Sequence, residues 1–125
     1  NGAGGYAAKW FGYCNGESRS SSSACEQSQW TIPDEADNGL KHGPGKIAMA
    51  KTQAENTGGS QFYIVPTGST PSHLDGVHTV FGEVTSGMPH VDAINKVETG
   101  NNDNDSSTSG DKPIDDVVLM SVSVN

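Results

Sequence analysis

The chain has 125 residues, of which 32% are hydrophobic and 6% aromatic, so it can form one small domain with a thin core. Its net charge is -8 and its seven basic residues are scattered, which argues against nucleic-acid binding, because phosphate recognition requires clustered Lys and Arg. No apolar run approaches the length of a membrane span, so no membrane association is expected.

The first 29 residues are rich in Gly and Ser, with aromatic residues between them, and predict an irregular segment held to the body by aromatic anchors. Within it, Cys14 and Cys25 bracket a Ser-rich loop that contains Arg19. Their short separation suits a disulfide that would stabilise the fold by about 3 kcal/mol in an oxidising compartment. Two unpaired thiols are the alternative, so the compartment stays open: cytoplasmic, or extracytoplasmic if the cysteines are joined.

Further along the chain, Trp30 to Glu35 predicts a short extended piece, with Pro33 confining it to an edge. Met88, Val91, Ile94 and Val97 recur at helical spacing, which predicts one helix over 87–97. The acidic, low-complexity residues 100–111 predict a solvated loop. Apolar and alternating patterns predict four strands, over 46–50, 61–65, 79–84 and 117–124.

Three segments resemble the cyclophilins, in order and nearly in register: GKIAMA at 45–50, GSQFYI at 59–64 and LDGVHTVFGEV at 74–84. Residues 34–40 and 51–54 look closer to the small prokaryotic members than to the familiar eukaryotic ones, and residues 1–5 look like the family's glycine loop. Cyclophilins are closed antiparallel β-barrels capped by two helices. The resemblance implies a mainly β, cyclophilin-like antiparallel barrel, here only its C-terminal half with about four strands and one helix.

The resemblance covers 1–125 as a single domain, except for a Ser-rich insertion loop at 14–25 and the acidic loop at 100–111. The chain opens on Asn1 rather than Met, and we expect the domain to lack its N-terminal part. The family's catalytic arginine would lie in that part. Arg19 does not match it, because it lies in the insertion loop.

By resemblance, the function is peptidyl-prolyl cis-trans isomerisation of X-Pro bonds, which assists protein folding. The implied partners are proline-containing peptides or unfolded proteins, with no cofactor. His73 stands where many members have a Trp that helps bind cyclosporin, which predicts weak cyclosporin binding. The implied substrate-binding residues are Tyr63 and Leu74 in the proline pocket, Gln61 and Ala50 on the substrate backbone, His78 at the rim, and His73.

Each of these residues also has a plainer interpretation. Tyr63 and Leu74 are typical core residues, and the Tyr63 hydroxyl in an apolar pocket needs a partner or costs about 1 to 3 kcal/mol. His73, Asp75 and His78 are too closely spaced for a standard metal site, so no metal is expected.

Two other functions remain as alternatives: a non-catalytic proline-peptide-binding or chaperone module, and a disulfide-stapled interaction unit. Half a barrel would also leave strand edges and an apolar interior uncovered, which predicts an unstable, aggregating or self-pairing chain. Whether this chain alone is active stays open.

Overall fold

Among the residues that the structure describes, six short β-strands, two 3₁₀ helices and one α-helix form the regular elements. The structure is a computed structural model that describes residues 5–100 and 110–124. It comprises two compact units, Asn1–Ser86 and Gly87–Asn125. The strands are β1 Tyr13–Cys14, β2 Glu17–Ser18, β3 Trp30–Thr31, β4 Lys46–Met49, β5 Phe62–Ile64 and β6 Val80–Glu83, and the helix is α1 Met88–Ile94.

The first sheet has the antiparallel order β2-β1-β3 and is built on a tight hairpin. Asn15 and Gly16 join β1 to β2 with φ angles of 48° and 86°, the left-handed pair that a type I′ turn requires. A Cβ on Gly16 would come within 2.6 Å of the Glu55 carbonyl oxygen, so the position also excludes larger residues. The prediction that residues 1–29 are irregular is therefore wrong over this hairpin.

A disulfide joins β1 to the loop that follows the hairpin. The sulfur atoms of Cys14 and Cys25 are bonded, with Cα atoms 6.0 Å apart. The indole N–H of Trp30 donates to the Cys25 carbonyl at 3.0 Å, and the Trp30 ring meets the Trp10 ring edge-on at 5.8 Å. The Ser-rich segment is thus tied to β3 at both of its ends.

The second sheet has the antiparallel order β5-β4-β6, which confirms the three strands predicted in this region. Its central strand carries Ala48, which pairs with Tyr63 on β5 and with Val80 on β6. Ala48, Val80 and Val65 are almost fully buried and form the core beside this sheet. Within the described residues the two sheets stay separate and do not close into a barrel.

The second unit contains the predicted helix. It runs over Met88–Ile94, shorter than the predicted 87–97, after Gly87 in a left-handed conformation with φ 92°. Pro89 lies in the first turn, where its missing N–H costs no helical hydrogen bond. None of the helices among residues 5–100 and 110–124 has the length and apolar character needed to cross a membrane.

The predicted strand over 117–124 is wrong. These residues have no strand hydrogen bonding, and their side chains are exposed, up to 94% for Val124. Alternating Val and Ser make one face apolar, but a strand also needs a neighbour to pair its backbone groups. Most of the predicted acidic loop, residues 101–109, lies outside the described residues.

Candidate functional site

Tyr63 and His78 come together beside the second sheet. Their ring centroids lie 6.0 Å apart with the planes at 74°, an edge-to-face contact. Leu74 ends the 3₁₀ helix Ser72–Leu74, and its carbonyl accepts hydrogen bonds from the backbone N–H groups of Val77 and His78, both at 3.0 Å. A single turn therefore holds Leu74 and His78, next to the strand that carries Tyr63.

The Tyr63 hydroxyl has a partner that the sequence did not identify. Its oxygen lies 2.8 Å from Nε2 of His42, whose side chain is fully buried. The two ring planes are nearly parallel, 8° apart. Burial raises the pKa of Tyr63 above 10.0, with a smaller contribution from the negative charge of Asp75. Tyr63 is therefore a neutral hydroxyl at physiological pH, and its polar end is satisfied inside the protein.

Asp75 holds the other side of His42. Its Oδ1 accepts the His42 backbone N–H at 2.8 Å and contacts ring Nδ1 at 2.9 Å, while Lys41 Nζ lies 3.6 Å from Oδ2. The hydrogen bond from the His42 backbone, followed by the one from its side chain, holds the pKa of Asp75 below its ordinary 3.8. An ionised carboxylate only accepts, so Nδ1 carries the proton. In the neutral ring, Nε2 then accepts from Tyr63.

Backbone hydrogen bonds pair the ends of β4 and β5 beside these rings. Ala50 N–H donates to the Gln61 carbonyl at 2.9 Å, just beyond β4 and β5. His78 Nδ1 lies 3.1 Å from the Met49 carbonyl, so Nδ1 is the donor and the ring is anchored to the end of β4. The Gln61 residue is exposed and Ala50 is half-buried. The two rings and these paired strand ends therefore lie at the same end of the second sheet.

A glycine is required just before β5. A Cβ on Gly59 would lie 2.6 to 2.7 Å from the backbone N, Cα and C atoms of Tyr6. Two backbone segments can approach this closely only without a side chain between them. The start of the described chain is thus packed directly against the segment that leads into β5.

The remaining predicted residue, His73, is exposed on the 3₁₀ helix, with no link to the Tyr63 and His78 pair. His42 is the residue that sequence reasoning missed. The sequence indicated only that the Tyr63 hydroxyl needs a hydrogen-bond partner. It did not indicate that this partner is a histidine 21 residues away. Among the described residues, no group of three His, Cys, Asp or Glu side chains is placed to hold a metal.

Two hollows lie in the first unit. One, of about 400 Å³, borders the turn of the candidate site at Gly76 and Val77, and Asp34, Lys51 and Glu55 are also among its lining residues. In its wall, Lys51 Nζ lies 3.3 Å from Asp34 Oδ2 and donates to the Ala54 carbonyl at 3.0 Å. The other, of about 290 Å³, is lined mainly by hydroxyl and small side chains: Gly5, Asn15, Ser28, Thr31, Thr52, Ala54 and Thr57.

Residues 5–124 match the family described as cyclophilin type peptidyl-prolyl cis-trans isomerase/CLD. The chain is 42% identical over 93 residues to peptidyl-prolyl cis-trans isomerase cypE of Dictyostelium discoideum, covering 74% of this chain and 52% of that protein. It is 38% identical over 100 residues to peptidyl-prolyl cis-trans isomerase B of Escherichia coli, covering 75% and 58%. It is 41% identical over 92 residues to peptidyl-prolyl cis-trans isomerase-like 1 of Gibberella zeae, covering 73% and 50%. The chain thus spans about half the length of these relatives.

Proposed function

The chain belongs to the family of cyclophilin-type peptidyl-prolyl cis-trans isomerases, and on that premise we propose that it isomerises X-Pro bonds in peptides and unfolded proteins. The observation that carries the proposal is the edge contact of the Tyr63 and His78 rings beside the turn that ends in Leu74. Two rings in edge-to-face contact suit the flat, apolar ring of proline, and the Leu74 carbonyl accepts the His78 backbone N–H in the same turn.

The reaction needs shape and polarity rather than a nucleophile. Amide resonance sets a barrier of about 18 to 20 kcal/mol to rotation, and rotation removes that resonance. A catalyst therefore has to bind the twisted amide more tightly than the planar one. An apolar wall favours the twisted state because the planar amide is the more polar form, and water stabilises it.

Each residue of the proposed site has a role in this scheme. Tyr63 and Leu74 hold the proline ring, and His78 closes the pocket at its rim. Gln61 and Ala50, paired at the ends of β5 and β4, contact the substrate backbone. His73 is exposed and contacts only the residues that flank the proline.

The test is an equilibrium measurement with this chain. Two-dimensional exchange NMR on an Ala-Pro tetrapeptide reports cis/trans interconversion without a protease. We expect the chain to bring exchange into the range of seconds or faster, against tens of seconds for the uncatalysed bond. Leu74→Ala should reduce the catalysed rate about tenfold, which corresponds to about 1.4 kcal/mol of lost apolar contact.

Arg19→Ala is the matched control. Arg19 lies on an exposed hairpin, where its guanidinium pairs with Glu17 at 2.6 Å. We expect this variant to retain the full rate. No acceleration by the wild-type chain, or an equal loss in the Leu74 and Arg19 variants, would contradict the proposal.

A further inference from the structure

One buried imidazole links both halves of the proposed proline pocket. His42 contacts Tyr63 on β5 through Nε2 and Asp75 through Nδ1, at 2.8 and 2.9 Å. Asp75 directly follows Leu74, at the end of the 3₁₀ helix Ser72–Leu74. The side chain of His42 has no exposure to solvent, so it cannot itself contact a substrate. Its influence on a bound peptide must pass through these two neighbours.

The direction of the hydrogen bonds determines what Tyr63 offers to the pocket. Ionised Asp75 accepts from Nδ1, so in the neutral His42 ring Nε2 accepts the single hydroxyl proton of Tyr63. That proton is then directed away from the substrate, and the aromatic ring is what remains for proline. Without His42, the hydroxyl would need water or the substrate as its partner, which would make an apolar wall polar.

Resting on the proposed function, we infer that His42 is a positioning residue that acts through the Tyr63 hydroxyl to keep the pocket apolar and its ring in place. The carboxylate of Asp75 serves this role indirectly, by selecting the tautomer of His42. Lys41, at 3.6 Å, is the nearest further charge on this carboxylate.

Two substitutions separate the contacts of His42. In His42→Asn the side-chain amide can replace Nδ1 toward Asp75 but does not reach Tyr63. In His42→Gln the longer side chain can replace Nε2 toward Tyr63. We expect His42→Asn to lower kcat/KM about fivefold, the value of one neutral hydrogen bond, and His42→Gln to retain most of it.

The decisive readout combines these changes with Tyr63→Phe. If His42 acts through the hydroxyl, His42→Asn lowers kcat/KM in the Tyr63 background and leaves it unchanged within twofold in the Tyr63→Phe background. A purely structural role would lower the value equally in both. Equal losses would overturn the inference and leave the isomerase proposal standing.

A second measurement needs no substrate. Long-range proton–nitrogen NMR of the imidazole reports its tautomer, and we expect the proton on Nδ1 with Nε2 as the acceptor. The opposite tautomer would overturn the inference even if the kinetics agreed. A wild-type chain with no isomerase activity would overturn the proposed function and this inference with it.

Discussion

Lys51 and Asp34 form an ion pair, and we expect the loss of one partner to lower the stability more than the loss of the other. The Lys51 side chain is only 2% exposed, whereas Asp34 is 20% exposed. Asp34 Oδ2 also accepts the Asn56 backbone N–H at 2.9 Å, and the Asp34 backbone N–H donates to Asn56 Oδ1 at 2.9 Å. The carboxylate thus has one other partner, the Asn56 N–H, and the ammonium has one, the Ala54 carbonyl, so the difference between them is the deeper burial of Lys51. Removing the carboxylate should therefore cost more than removing the ammonium.

We expect Asp34→Asn to lower the free energy of unfolding by about 3 kcal/mol, because it leaves a buried charge without its counter-ion. Lys51→Met keeps the side-chain volume, and the Asp34 carboxylate can still be hydrogen-bonded by Asn56 and water. This variant should therefore lower the free energy of unfolding by about 1 kcal/mol. The double variant should be more stable than Asp34→Asn alone, because no unpaired charge remains.

Urea unfolding followed by tryptophan fluorescence measures these differences, since Trp10 and Trp30 lie in the same unit. Lys46→Met is the matched control. Lys46 pairs with Glu83 at 2.7 Å on the surface, where such a pair contributes less than about 1 kcal/mol. An Asp34→Asn cost no larger than that of Lys51→Met would refute the argument from burial.

Three further predictions concern the disulfide, the pocket rim and pH. Replacing both Cys14 and Cys25 by Ala should lower the free energy of unfolding by about 3 kcal/mol, measured in urea, because the 11-residue closure no longer restricts the unfolded chain; an unchanged midpoint would exclude this role. Cyclosporin should bind weakly, and His73→Trp should tighten it in a fluorescence titration; tight binding by the wild-type chain would contradict the assignment of the rim. The lowered pKa of Asp75 contributes stability that is complete above about pH 4 and lost as the pH falls through the folded value, so Asp75→Asn should flatten the stability profile there. A profile with the same acid slope in that variant would rule out this carboxylate as the cause.

The sequence predicted the second sheet well because its strands carry their own signal. Residues 46–50 and 61–65 are short apolar runs bounded by turn residues. The matching strands are shorter by one residue, at one end of the first range and at both ends of the second. The hairpin of β1 and β2 was missed because strands of two residues show no alternation. Asn15-Gly16 was the available signal, since this dipeptide favours the turn that the structure contains.

The candidate site was predictable only in part. The family resemblance singled out Tyr63, Leu74 and His78, and the structure brings the first and third into ring contact. The role of His42 depends on contacts with residues 21 and 33 positions away, which no local pattern encodes. The strand predicted over 117–124 failed for a related reason: its alternation describes one face, whereas strand formation depends on a partner elsewhere.

The most direct test of the proposed site is to locate where a proline peptide binds. Proton–nitrogen NMR spectra of the labelled chain, titrated with an Ala-Pro tetrapeptide and with its Ala-Ala counterpart, would locate the site residue by residue. We expect saturable shift changes that are largest at Tyr63, Leu74 and His78 and absent with the Ala-Ala peptide. Changes centred on the hollow around Asp34 and Lys51, or equal changes with both peptides, would contradict it.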